Sequence, residues 1–238
     1  INHLKLKGES MKNQSGVLTR KGLAFLLAIA VAVTALIGWR LSSDAVVKPP
    51  EEIEDYLFWQ AKGLTEFKLI GANSKQLVLN DLKGKWSFIF FGYTHCPDVC
   101  PVTLGTMGKA FKLLEQTSAV SQEIQGIFIS VDPQRDTPES LKDYVSYFNN
   151  KFLGVTGEPA QLEAIARQMS ALYTIHPKEP QKSDTYLVSH NSTIFLVDPQ
   201  GRLYGRFPPP QTPQELAEVF VKIRNFYNER TKKQWVLF

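Results

Sequence analysis

Both cysteines of this 238-residue chain lie in one run, Phe90-Phe-Gly-Tyr-Thr-His-Cys-Pro-Asp-Val-Cys-Pro101. The spacing Cys96-x-x-x-Cys100 is an i, i+4 pair, which puts both sulfurs on one face if Cys96 already lies in a helical turn. At the amino end of a helix, unpaired N–H groups and the helix dipole favour thiolate over thiol. Two soft donors on one face suit a soft metal or a disulfide. They do not suit a four-ligand zinc site, which needs more Cys and His than this run offers.

The elements around the run make that placement plausible. Trp86, Phe88, Ile89, Phe90 and Phe91 read as a buried strand ahead of it. Leu104, Met107, Ala110, Phe111 and Leu114 recur at helical spacing behind it. Further along, strands are expected at 76–79, 124–131, 153–156 and 202–206, with 186–189 and 193–197 as a pair. Helices are expected at 138–148, 159–172 and from Pro213 to Tyr227, the last opened by Thr212 with Glu215 as its capping-box partner. Strands alternating with helices early and hairpin strands late imply an α/β sandwich with a mixed central sheet. Asp132 ends a central strand, where such folds place functional groups. It reads either as a group acting on the site or as a cap of the following turn. Asp136 and Thr137 read as the N-cap region of the next helix, and Arg135 as the partner of a carboxylate.

Composition bounds the rest. A net charge of +4 without a Lys/Arg-rich aromatic block argues against nucleic acid. Two cysteines in a chain this long are chemical rather than scaffolding. Residues 23–39 carry no charge and, with their flanks, approach the length of a bilayer span, with Arg20 and Lys21 immediately before. The expectation is one uncleaved N-terminal transmembrane helix, its N-terminus inside and the remainder outside the cytoplasm; the alternative is a signal peptide cleaved near Ser43-Asp-Ala45, a poor small-x-small site. The domains expected are a cytoplasmic segment 1–21, an anchor 22–41, a Pro- and charge-rich linker 42–55, a domain 56–230 and a tail 231–238. Residues 1–10 precede the first methionine, Met11, and read as an upstream extension.

Four motifs in order, Tyr93-Thr-His-Cys-Pro-Asp-Val-Cys-Pro101, Ser130-Val-Asp-Pro-Gln-Arg-Asp-Thr-Pro-Glu139, Tyr186-Leu-Val-Ser-His190 and Leu196-Val-Asp-Pro-Gln-Gly201, closely resemble the Sco/SenC family. The resemblance covers about residues 58–227 and implies a thioredoxin-like fold. It implies a copper chaperone for the binuclear copper site of cytochrome c oxidase, with Cys96, Cys100 and His190 as copper ligands. Thiolates plus an imidazole suit Cu(I), and the imidazole helps hold Cu(II). Cytochrome c oxidase subunit II is the implied recipient. Other copper chaperones or a thioredoxin-like reductant are further partners, and the setting is the periplasmic side of a bacterial inner membrane. One departure stands out: the family often has Val-Asp-His-Ser where this chain has Val188-Ser189-His190-Asn191, so a carboxylate beside the ligand is lost.

On this reading the chain is a metallochaperone rather than an enzyme. The alternative is a thiol–disulfide oxidoreductase using Cys96 and Cys100, which needs no His190. A thiol peroxidase fits poorly, because no activating Arg is evident beside the cysteine run. His95 is expected near the site without being a ligand, His176 in a loop, and Phe207-Pro-Pro-Pro-Gln as a rigid turn.

Overall fold

A strand with no polar face must be covered on both sides. The computed structural model of the chain places Trp86–Gly92, buried along its whole length, at the centre of an eight-stranded sheet. The structure describes residues 20–43, 48–116, 120, 122–171, 173–175, 188–190 and 192–235. Two units are distinguished, Ile1–Lys48 and Pro49–Phe238. The first contains α1 (Arg20–Ser43), whose Leu23, Phe25, Leu27 and Val31 side chains are exposed. Among the described residues no helix is long and apolar enough to cross a membrane. The side chains described in α1 are those of residues 21–36 and Gly38.

The second unit runs α2 (Glu51–Glu54), β1 (Leu57–Gly63), β2 (Lys68–Gly71), β3 (Gln76–Val78), β4 (Trp86–Gly92), α3 (Val99–Glu115) and β5 (Ile124–Ser130). It continues with α4 (Pro138–Phe148), β6 (Leu153–Thr156), α5 (Pro159–Met169), β7 (Tyr173–Ile175), β8 (Val188–His190), β9 (Ile194–Val197), β10 (Arg202–Phe207) and α6 (Pro213–Trp235). The sheet order is β1-β10-β9-β4-β5-β6-β2-β3, and β7 with β8 forms a separate ribbon. β4, β5 and β6 are parallel, while β9, β10, β1, β2 and β3 join antiparallel, so the sheet is mixed as expected.

Side-chain alternation along β4 sorts the core. Phe88 stacks edge-on against Phe111 of α3 and Phe220 of α6, with centroids 5.2 and 4.9 Å apart. Trp86, on the same face, meets Phe220 and Tyr227. Phe91 turns to the other face and meets Phe195 of β9. The strand that carries the cysteine loop is therefore locked from both sides by aromatic contacts.

Several expectations shift. The strands expected at 186–189 and 193–197 do not pair with each other. β9 is buried throughout and its two edges are taken by β4 and β10, so β8 pairs with β7 instead. The sheet also gains β1 and β2. Ile53, inside the stretch expected to be a linker, is buried in the core, and α6 extends to Trp235.

Candidate functional site

The loop between β4 and α3 carries the chemistry. The Cys96 N–H donates to the Tyr93 carbonyl at 3.3 Å, so Thr94 and His95 occupy the centre of a tight turn. Cys96 precedes α3 and Cys100 lies in its first turn. Asp98, at the N-cap position, makes no side-chain cap bond. Instead the Cys100 N–H donates to Cys96 Sγ at 3.4 Å. A helix-start N–H thus points at a sulfur, which is the placement the spacing suggested, reached by a turn instead of a continuous helix. Neither cysteine is in a disulfide.

Their surroundings differ. Cys96 is half-buried and Cys100 fully buried. Burial is the main cause pushing the Cys100 thiol up from its ordinary pKa; a hydrogen bond from the Tyr93 backbone opposes it, and Cys96 and the Asp136 charge add to it. Gly92 makes room for this sulfur: a Cβ there would lie 2.8 Å from Cys100 Sγ and 2.7 Å from the Phe128 ring. Phe128 in turn packs against the Tyr144 ring of α4 at 5.7 Å. The Tyr144 hydroxyl is pushed up by burial first, then by the charges of Cys100, Cys96 and Asp136.

Behind the turn lies a carboxylate. Asp136 is fully buried and accepts from Thr94 N at 2.9 Å, Thr94 Oγ1 at 2.5 Å and Ser130 Oγ at 2.5 Å. His95 Nδ1 lies 3.0 Å from Thr94 Oγ1 and 3.7 Å from Asp136 Oδ1, with the imidazole half-exposed. Asp136 is therefore not the cap of α4. That role falls to Thr137, whose Oγ1 accepts the Ser140 N–H at 3.2 Å. Asp132 is buried, binds Arg135 Nε at 2.5 Å and accepts the Arg135 and Asp136 N–H groups on its carbonyl. Its carboxylate thus pairs with Arg135, and its carbonyl closes the following turn. Arg135 also lies over the Tyr93 ring at 5.5 Å.

Position 190 ends β8, opposite Tyr173 in the ribbon. The His190 side chain lies outside the described residues, as do His3 and His176. Among the described residues no group of three His, Cys, Asp or Glu side chains could hold a metal ion, so the described donors are the two sulfurs. Sequence reasoning missed Gly92, Thr94, Ser130 and Tyr144. Only the strand-end placement of Gly92 and Ser130 could have signalled them, since hydrogen bonds from Thr94 to Asp136 span a fold-level distance.

The SCO1/SenC family model matches residues 60–225. The chain belongs to the SCO1/SenC family. It is 32% identical over 205 residues to a protein of Stutzerimonas stutzeri named a putative copper-binding protein, covering 86% of this chain and 95% of that one. It is 33% identical over 168 residues to Protein sco1 of Schizosaccharomyces pombe, covering 71% of this chain; it spans only 62% of that relative's length. Among solved structures, the ScoI proteins of Bradyrhizobium japonicum and Arabidopsis thaliana, both with copper bound, superpose with TM-scores of 0.58 and 0.61 at 35% and 32% identity. They cover 66% and 68% of this chain and 96% and 98% of their own. The thioredoxin-like fold of this SCO1/SenC chain is thus shared with relatives whose structures hold the metal that a paired thiolate site suits.

Proposed function

We propose that this chain binds copper through Cys96, Cys100 and His190 and passes it to the binuclear copper site of cytochrome c oxidase, on subunit II, during oxidase assembly. The observation that carries the reading is the sulfur pair: Cys100 N–H on Cys96 Sγ, one thiol half-buried and one buried at a helix start. Copper is the cargo. Two soft donors fit Cu(I), a third donor from β8 would complete a low-coordinate site, and low coordination leaves room for a recipient's ligand. The half-exposed Cys96 is the sulfur a recipient can reach.

The anchor and setting belong to the same reading. α1 is apolar on all sides with its side chains exposed, a pattern that calls for an apolar environment. Arg20 and Lys21 at its start orient it with the N-terminus in the cytoplasm. The chain is then a single-pass protein of a bacterial inner membrane with its folded domain in the periplasm.

The test is copper stoichiometry on reduced, anaerobic protein. About one copper per chain is expected, lost in Cys96→Ser, with Cu(II) lost in His190→Ala. Wild-type Cu(II) affinity in His190→Ala removes that residue from the site. The adjacent thiols, neither in a disulfide, also favour a second reading, reduction of a partner's disulfide, in which a thiolate attacks and the second thiol resolves the mixed disulfide. No stable copper together with rapid reduction of partner disulfides would decide for it.

A further inference from the structure

We propose that Asp136 is the positioning residue of the dithiol: its buried carboxylate clamps Thr94, and through Thr94 the turn that carries Cys96. The proposal rests on the reading of Cys96 and Cys100 as the working pair, and on nothing about the metal.

A carboxylate removed from water needs compensation, because burying a charge without partners is expensive. Asp136 obtains it from three donors, and two of them belong to one residue. Thr94 donates both its backbone N–H and its hydroxyl to the same carboxylate. Such a two-point hold fixes the backbone and the χ1 of Thr94 together. Thr94 is an interior residue of the turn closed by Cys96 N–H to Tyr93 C=O, so fixing it fixes the direction in which Cys96 leaves the turn. The third donor, Ser130 Oγ, ties the carboxylate to the last residue of β5. Ser130 is itself the parallel partner of Gly92, the residue that leaves space for Cys100 Sγ. One side chain therefore joins the ends of two central strands to the loop that bears the chemistry.

The neighbouring local roles are filled by other residues. Thr137 caps α4, and the Arg135 side chain goes to Asp132. The Thr94 hydroxyl donates its single proton to Asp136, and His95 Nδ1 lies 3.0 Å from the same oxygen.

What the clamp holds is the reduced arrangement, in which Cys96 Sγ accepts the Cys100 N–H. Loosening the turn weakens that bond and favours the oxidised pair. Equilibration with glutathione reads this directly: the two thiols form one disulfide while oxidised glutathione is reduced to two thiols, two electrons and two protons being exchanged. Thr94→Val, which removes the hydroxyl at constant volume and constant charge, should shift the equilibrium constant toward the disulfide by about tenfold, about 30 mV for this couple. Thr94→Ser, which keeps the hydroxyl, should restore the wild-type value to within about twofold, and Asp136→Asn should shift at least as far as Thr94→Val. Thermal unfolding of each variant is measured alongside. A folded Thr94→Val with the wild-type equilibrium constant overturns the proposal, and so does a Thr94→Ser as displaced as Thr94→Val. If Asp136→Asn does not fold, the threonine pair decides alone. Copper stoichiometry enters none of these readouts, so failure of the copper reading and failure of the clamp are separately visible.

Discussion

At the residue scale, the site depends on what is missing as much as on what is present. Gly92 is the last residue of β4, on the face that carries Phe88 and Phe90, and its bare Cα is the wall against which Cys100 rests. Adding a methyl group forces either the sulfur or the Phe128 ring to move. Phe128 is held by Phe90 and Tyr144, so the sulfur is the freer of the two. Gly92→Ala should cost about 1–3 kcal/mol of stability, as overpacking does. It should also weaken copper binding more than an equally destabilising change far from the loop, such as Leu77→Val in β3 at the edge of the sheet. Equal copper affinity in the two variants at matched stability would mean that Gly92 serves packing alone.

Elements succeed or fail in the sequence by how local their reasons are. β4, α3, β5, α4 and α5 are legible because each carries its own periodicity, cap or proline start. β1 is not, because it pairs only with β10 and its half-exposed residues Leu57–Gly63 show no clean alternation. The pairing of β8 with β7 is likewise decided elsewhere, by β4 and β10 claiming β9. The cysteine pair was legible from spacing, whereas the Asp136–Thr94–Ser130 clamp was not, since 42 positions separate Thr94 from Asp136. The same non-local logic joins the start of the folded unit to α6. Tyr56 Oη donates to Glu215 Oε1 at 2.7 Å, and this hydrogen bond, followed by burial and the Glu215 charge, pushes the phenol up to about 12 from an ordinary value of 10. The folded state thus holds this proton more tightly than the unfolded chain. The bond contributes fully below pH 10, and its contribution is lost as pH rises toward 12. Tyr56→Phe should therefore be less stable than wild type at pH 8, and the gap should close between pH 10 and 12. Denaturant midpoints across that range measure it; a constant gap would place the contribution in packing instead. Phe88, by contrast, contacts Phe111, Phe207 and Phe220 at once, and Phe88→Ala should cost about 3–5 kcal/mol at any pH.

Over the whole molecule, the question is which part of the chain carries the fold. Every described core side chain, from Ile53 to Tyr227, belongs to the unit Pro49–Phe238. Leu23, Phe25, Leu27, Val31 and Leu36 of α1 are each about half exposed or more, a concentration of apolar surface that a soluble domain does not tolerate. The anchor proposed above would put this surface in lipid, and that proposal is open to test. A fragment comprising 49–238 should unfold in a single cooperative transition in plain buffer, with the midpoint that the full chain shows in detergent. The full chain should float with liposomes in a density gradient, and the fragment should remain in the dense fraction. Flotation of the fragment would place a lipid-binding surface on the folded unit, and a full chain that stays behind without detergent would remove the anchor from the proposed function. A fragment that fails to fold would mean that residues before Pro49 stabilise the sheet, a role for which α1 offers no described core side chain. The dithiol equilibrium measured on the fragment and on the full chain should coincide, because the turn, the clamp and both sulfurs lie within 93–136.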